Sequence, residues 1–407
     1  MSAADVIIIG GGPAGVAAAV ELRRRGVAHV VLLEREPHLG GATRHCSHSP
    51  FGMREFGRVY FGAAYGRRLE AEAARAGVDI RTGHSVVRIE AGGRVELATP
   101  RGVETLTARR LLIATGAREA PRAARLVSGD RPVGVVTTGT LQAYVAFHEL
   151  MPFRRPLIVG SELVSLSALL TCLTHGARPV AMIEPGPRTL AAAPLAWFPR
   201  LMGVPFHLGA ELLDIHGARR VEDVTLRLRD GSTRNIACDG VLFTGRFTPE
   251  SALLRQSALG VAVASSAPAI DPFGRTADPH IFAAGNLLRA VETAGWSFRE
   301  GRAVGRAMAE DLARREGVAG DMVPVTFDPP IKLVVPGLVR RSTEQPAFNK
   351  FQLRFTREAR GRLSLTLDGR EVWAREKTWL PERRILIPIP PEACAAGAVH
   401  VGFEESA

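Results

Sequence analysis

Val6-Ile7-Ile8-Ile9-Gly10-Gly11-Gly12-Pro13-Ala14-Gly15 runs an apolar segment directly into a glycine-rich turn. Four apolar residues make a short buried strand, and a glycine-rich turn leads straight into a helix over Val16–Arg25. Gly26 stops that helix, and a second strand, His29–Leu33, ends on Glu34. Each glycine has its own work in such a unit. Gly10 permits the tight turn, Gly12 lets the backbone approach a pyrophosphate, and Gly15 lets helix and strand pack closely. The start of the helix then offers unpaired N–H groups and a partial positive charge to phosphate oxygens. Glu34 is placed to accept hydrogen bonds from a ribose hydroxyl. A merely structural glycine turn requires no acid there, so the unit is read as a dinucleotide cradle.

The unit is repeated. Pro156–Val159 leads into Gly160-Ser161-Glu162-Leu163-Val164-Ser165 and a helix to His175, Gly176 stops it, and Pro179–Ile183 ends on Glu184. Glu34 and Glu184 each stand 24 residues beyond the first glycine of their turn. Two such βαβ units imply two dinucleotide-type domains. The second cradle is damaged, because Glu162 replaces the glycine that should meet pyrophosphate and Ser165 replaces the packing glycine. A carboxylate facing two phosphates costs on the order of several kcal/mol when buried, so NAD(P)H should bind poorly. Glu184 alone argues the other way.

Working outward, Leu111–Ala114 closes on Thr115-Gly116, and Gly240–Phe243 closes on Thr244-Gly245, at equivalent points of the two units. Ile281–Ala284 is another buried strand, ending on Gly285-Asn286, and Phe298–Glu316 follows as an amphipathic helix. The character changes after about residue 322. Phe351–Phe355, Leu363–Leu367, Glu371–Trp373 and Ile385–Ile389 read as strands, with an Asp368-Gly369 hairpin turn and Pro329-Pro330 in a connection. The expected fold is α/β, with two Rossmann-like domains and a small C-terminal β domain. Residues 1–119 and 268–320 form the discontinuous first domain, 120–267 the second, and 321–407 the third.

Composition excludes several classes. No apolar run reaches the roughly 18–20 residues of a membrane span. The N-terminus has no basic leader before Val6, which leads to the expectation of a cytoplasmic protein. The net charge is +11, but only three of the 52 basic residues are lysines and the arginines are scattered. With no basic tract interleaved with aromatics, nucleic acid is not the expected partner. Anionic cofactors and acidic partner surfaces account for the charge more simply. The four cysteines (Cys46, Cys172, Cys238, Cys394) are isolated, so neither an internal iron–sulfur cluster nor a local redox dithiol is expected. No metal site is expected either.

The run Thr276–Asn286 resembles the second FAD signature of the pyridine nucleotide-disulfide reductase superfamily, with Asn286 where that family carries an aspartate on the ribityl chain. Glu300-Gly301-Arg302 fits the family's last helix, whose N-terminus faces the flavin, with Thr293 as its cap and the N–H groups of Gly295 and Trp296 near the ring. Gly40-Gly41-Ala42-Thr43-Arg44-His45-Cys46-Ser47-His48 falls where disulfide reductases carry their cysteine pair, and has one cysteine. The resemblance implies FAD as cofactor. With the glycine unit it gives a binding set of Gly10, Gly12, Pro13, Ala14, Gly15, Glu34, Arg35, Gly40, Gly41 and Thr43. The later members are Val86, Ala114, Thr115, Gly116, Gly285, Asn286, Thr293, Gly295 and Trp296. His45, Cys46, His48 and Trp296 are the candidate catalytic residues, as proton carriers or substrate contacts.

Gly40–Gly52, the Gly160-Ser161-Glu162 variant and Gly285–Trp296 together resemble the flavoprotein subunit of hydrogen cyanide synthase, opine oxidase and related amine or amino-acid dehydrogenases. That resemblance covers about residues 5–315 and implies two partners, a small [2Fe–2S] protein and a second flavoprotein subunit. Two alternatives remain. One is a stand-alone NAD(P)H-dependent flavin reductase, and the other is a scaffold subunit whose FAD is structural or whose second unit holds another nucleotide.

Overall fold

The strand Ala4–Ile9 is largely buried on both faces and lies between two parallel neighbours, Val30–Glu34 and Gly102–Ile113. A continuous apolar run suits a central parallel strand covered by helices. Helix Pro13–Arg24 returns the chain over the sheet, and Asp79–Thr82 extends it beyond Val30–Glu34. Ile281–Ala283 joins Gly102–Ile113 from far along the sequence, so two separate stretches of chain build this sheet. The expected strand at Leu111–Ala114 is the buried end of the longer Gly102–Ile113, whose other end forms a hairpin with Arg94–Thr99. The computed structural model describes residues 4–192, 194–290, 292–314, 321–340 and 346–406.

A second parallel sheet repeats the plan. Its order is Phe206–Leu208, Ala181–Glu184, Pro156–Val159, Gly240–Phe243, Val135–Thr137. The agreement extends to single hydrogen bonds. Gly10 N–H donates to Leu33 O at 2.9 Å, and Gly160 N–H to Ile183 O at 2.9 Å. Ala114 N–H donates to Ile9 O at 2.9 Å, and Thr244 N–H to Val159 O at 3.0 Å. The two-dinucleotide-domain architecture expected from the repeated glycine units is therefore present.

Helix Ala294–Leu312 lies along helix Pro13–Arg24. Small residues make that approach: a Cβ on Gly301 would fall 2.0 Å from Ala14 O, and one on Gly305 would fall 2.8 Å from Ala18 O. The helix starts a turn before the expected Phe298, because Ala294–Ser297 already bury Gly295 and Ser297. Its expected end at Glu316 lies outside the described residues.

Residues 322–340 and 350–405 form a five-stranded and a three-stranded sheet around Phe351, Phe355, Trp379 and Phe403. Asp368 and Gly369 turn with φ of 50° and 81°, the paired positive values that a two-residue hairpin requires, between Ala359–Leu367 and Arg370–Trp379. Strands at Ile331–Val335 and Val399–Glu405 complete the sheets beyond those read from sequence. Leu333, Val335 and Phe348 belong to the core of the first sheet, so this region is packed firmly against it. Among the described residues, no helix is long and apolar enough to cross a membrane.

Candidate cofactor site

The Gly10–Gly15 turn is shaped by contacts that leave one side open. Gly10 adopts φ of 108°, and a Cβ there would sit 2.5 Å from Ala114 O. Gly15 supports the packing of helix on strand, since its Cβ would lie 1.9 Å from Gly10 O. Around Gly12 and Gly116 an added Cβ meets nothing within 4 Å. Helix Pro13–Arg24 has no side chain capping its start and no acid in its first turn. Free N–H groups, an open glycine and no competing carboxylate are what a pyrophosphate needs. These residues fit the phosphates of FAD.

The neighbouring expected residues gather around this turn. Glu34 is buried, accepts from Gly11 N–H at 2.9 Å and from Glu36 N–H at 3.0 Å, and so is fixed beside the turn. Gly40 N–H donates to Gly11 O at 2.8 Å, and a Cβ on Gly41 would reach within 3.1 Å of Gly12 Cα. Thr43 locks the same corner through its hydroxyl to Gly40 O at 2.7 Å. Thr115 donates to Glu250 O at 2.7 Å, and Val86 packs against the first core. Arg35 is exposed and lies 3.9 Å from Glu36.

Asn286 has a role that sequence did not reveal. Its Nδ2 donates to Glu292 O at 3.1 Å, while its Oδ1 accepts from Glu292 N–H at 3.0 Å. The carboxamide thus zips the 286–292 loop closed, a task that needs one donor and one acceptor. An aspartate could make only half of it. Thr293 holds the expected N-cap position of Ala294–Leu312, and its hydroxyl makes no capping bond. Glu300 accepts from Gly285 N–H at 2.6 Å and pairs with Arg289. Burial drives the Glu300 carboxyl upward, opposed chiefly by Arg289. Glu292 is in turn held by Arg354 and Arg384 of the β region. Trp296 lies under the Arg384 guanidinium at 3.8 Å, with Arg54 at 5.2 Å.

The 41–48 segment lies in the seam against the second unit, where Cys46 Sγ reaches Gln142 at 3.7 Å and Ser47 reaches Thr171 at 3.2 Å. His45 sits edge-on to Phe147, and Arg44 lies over the same ring. Burial, helped by Glu119, pushes the Cys46 thiol up to about 12. Burial, helped by Arg44, pulls His45 down to about 4. Near neutral pH these shifts favour the neutral thiol and the neutral imidazole, the form in which a histidine accepts a proton. His48 stacks against Phe51 and is also lowered by burial.

The second turn is filled. The Glu162 carboxylate folds back and accepts from Ser161 N–H at 3.1 Å. It occupies the crevice between the two strand ends, since a Cβ on Gly245 would be 2.6 Å from its Oε1 and one on Gly160 2.9 Å from its Oε2. Burial pushes this carboxyl up, with the Thr244 hydroxyl opposing most. Glu184 accepts from Gly186 N–H at 2.9 Å and also from the Ser161 hydroxyl. The following loop closes on Ser161, with Leu190 N–H on its Oγ at 3.0 Å and Ala191 N–H on its carbonyl at 2.9 Å. Arg383 of the β region holds that loop through Leu190 O at 2.8 Å.

Two Rossmann-type units, one with an open glycine turn beside a buried acid, define the two-dinucleotide-domain class. Residues 4–301 match the pyridine nucleotide-disulphide oxidoreductase family, and the chain belongs to it. Members of that family are FAD-binding flavoproteins. Among curated relatives, the chain is 32% identical over 187 residues to an opine oxidase subunit of Rhizobium meliloti, covering 45% of this chain and 39% of that protein. It is 27% identical over 253 residues to hydrogen cyanide synthase subunit HcnB of Pseudomonas aeruginosa, covering 56% and 52%. The chain thus spans about half or less of these two relatives. The T. acidophilum thioredoxin reductase structure matches at TM-score 0.64 and 23% identity, over 75% of this chain and 98% of that one, a likeness of fold.

Proposed function

We propose that this chain is the FAD-binding subunit of a heteromeric dehydrogenase acting on an amine, an amino acid or a similar small polar substrate, and that it passes electrons to an iron–sulfur partner rather than to NAD. One observation carries the reading. The first cradle is open around Gly12 and Gly116, while the Glu162 carboxylate fills the second. An enzyme that exchanged hydride with NAD(P)H would need the second cradle, and one that reduced disulfides would need a thiolate, whereas the half-buried Cys46 thiol is pushed up to about 12.

FAD, when bound, supplies two-electron oxidation that can be returned in single-electron steps. The protein's part is to receive the pyrophosphate on the Gly10–Gly15 turn, to hold the ribose at Glu34, and to present the start of helix Ala294–Leu312 to the ring. A helix N-terminus there favours added negative charge. We also propose the domain limits 1–119 with 268–320, 120–267 and 321–407 for this arrangement. The matched subunits of opine oxidase and hydrogen cyanide synthase belong to multi-subunit enzymes by name, which supports the reading.

The test is to add NADH anaerobically to the purified yellow protein and follow the flavin band. No bleaching is expected. Rapid bleaching would replace this reading by a stand-alone reductase.

A further inference from the structure

Two grooves adjoin on the helix pair Pro13–Arg24 and Ala294–Leu312. One, of about 240 Å³, is lined by Glu21, Arg25, Arg299, Arg302, Ala303 and Arg306. The other, of about 180 Å³, shares Glu21 and Arg302 and brings in Phe56, Phe298, Arg24 and Arg68. Arg299, Arg302 and Arg306 fall at helical spacing on one face, opposite the buried Gly301, Val304, Gly305 and Met308. Arg54 and Arg384 over Trp296 carry the positive surface back to the start of the helix.

The nearby acids are already engaged. Glu21 is held by Arg25 at 2.7 Å, and Glu72 by Arg68 and Arg75 at 2.7 Å each. Glu310 stands 3.4 Å from Arg25, and Glu55 accepts from Tyr65 at 2.7 Å. Arg299 and Arg302 have no acidic partner within ion-pair distance among the described residues. Fields of one sign over a groove steer oppositely charged partners and raise association rates. A second copy would present the same positive face and be repelled.

We propose that this arginine-lined face docks an acidic, one-electron iron–sulfur carrier protein, the acceptor required by the function proposed above, on which this inference rests. Position on the helix favours an electron carrier over other acidic proteins. The stripe from Trp296 to Arg306 spans ten residues, about 15 Å of helix, and begins at the turn assigned to the flavin. Each turnover delivers two electrons, one to each of two oxidised carrier molecules, and the protons leave to solvent.

The test uses the FAD-loaded chain and an acidic plant-type [2Fe–2S] ferredoxin as probe, with binding read by interferometry at low and high salt. Binding in the order of 10 μM at low salt, weakened at least about tenfold by salt, is expected. R299E/R302E should weaken it at least about tenfold more while keeping stoichiometric flavin and melting temperature, and Arg306 is left in place because it donates to Pro346 O at 3.0 Å. R229E/R234E, the same charge change on other elements, should have much less effect. Equal losses in the two double variants would reduce the effect to net charge and overturn the proposal. So would tighter binding of a single-stranded oligothymidine through the same arginines. A wild type that holds flavin and docks no carrier sinks this inference alone. One that docks the carrier but holds no flavin sinks the proposed function and leaves the docking face.

Discussion

The two Rossmann units share a sheet order, an acid 24 residues beyond the first glycine, and matching hydrogen bonds at Gly10 and Gly160, yet they treat the same space oppositely. At Gly12 and Gly116 the first unit leaves a gap, and at Glu162 the second supplies its own anion. The carboxylate stands where a phosphate would, accepts a turn N–H and is enclosed. Scaffold and ligand site are therefore separable: a βαβ unit keeps its fold with its cradle occupied from within.

The largest effect should come from copying the second unit onto the first. Gly12 has φ of −75°, ordinary for any residue, and open space around its Cβ. Gly12→Glu should therefore fold with little change in melting temperature and purify colourless, because its charge opposes the pyrophosphate by several kcal/mol. Absorbance at the flavin band against protein concentration decides it. Stoichiometric flavin in the variant would mean that the first cradle holds no phosphate.

Asn286→Asp tests the less obvious half of the cofactor region. The substitution keeps the acceptor for Glu292 N–H but sets a carboxylate against Glu292 O, where a donor now stands. Loss of one part-buried bond and the new repulsion should cost about 1–3 kcal/mol and loosen FAD about tenfold or more. Fluorescence titration of the stripped protein with FAD is the measurement. Unchanged affinity would place the 286–292 loop away from the cofactor.

The glycine turns, the paired acids and the strands around them were legible in sequence because their spacing is local and their chemistry residue-specific. The zipper at Asn286 was not, since the same residue in an open loop would face outward. Nor was the fate of Cys46, whose pKa is set by burial against helix Thr138–His148, nearly a hundred residues away. The loop closed on Ser161 was invisible for the same reason, as its restraint at Arg383 comes from the far end of the chain. Local pattern reported what each unit could be, and packing decided what it is.

A smaller effect concerns pH. Glu162 is buried with its pKa raised, so its ionised form is the disfavoured one in the folded state. The penalty is absent when pH lies below the ordinary carboxylate range and grows as pH rises above it toward the raised value. Glu162→Gln keeps the shape and removes the charge. The variant should gain about 1 kcal/mol over wild type at neutral pH and nothing near pH 4, by urea unfolding at both. A gain that is the same at both pH values would assign the effect to packing instead of charge.

The smallest expected effect is also the most diagnostic of the comparison. If Glu162 alone blocked the second cradle, Glu162→Gly with Ser165→Gly would let NADH bind, in the high micromolar range. NADH would be preferred to NADPH, since Glu184 repels a 2′-phosphate but accepts from a 2′-hydroxyl. The structure adds obstacles that this double variant leaves in place. Ser161 still donates to Glu184, and Leu190 and Ala191 still close on Ser161 under the restraint of Arg383. The double variant should therefore bind NADH at the edge of calorimetric detection, and adding Arg383→Ala should strengthen it by a few-fold through release of the loop. Adding Ser161→Gly should do more, because it frees Glu184 and removes the anchor for Leu190 together. Full recovery in the double variant would show that the loop yields freely to a nucleotide. No binding after all four changes would mean that the second unit has lost its nucleotide shape beyond its glycine turn.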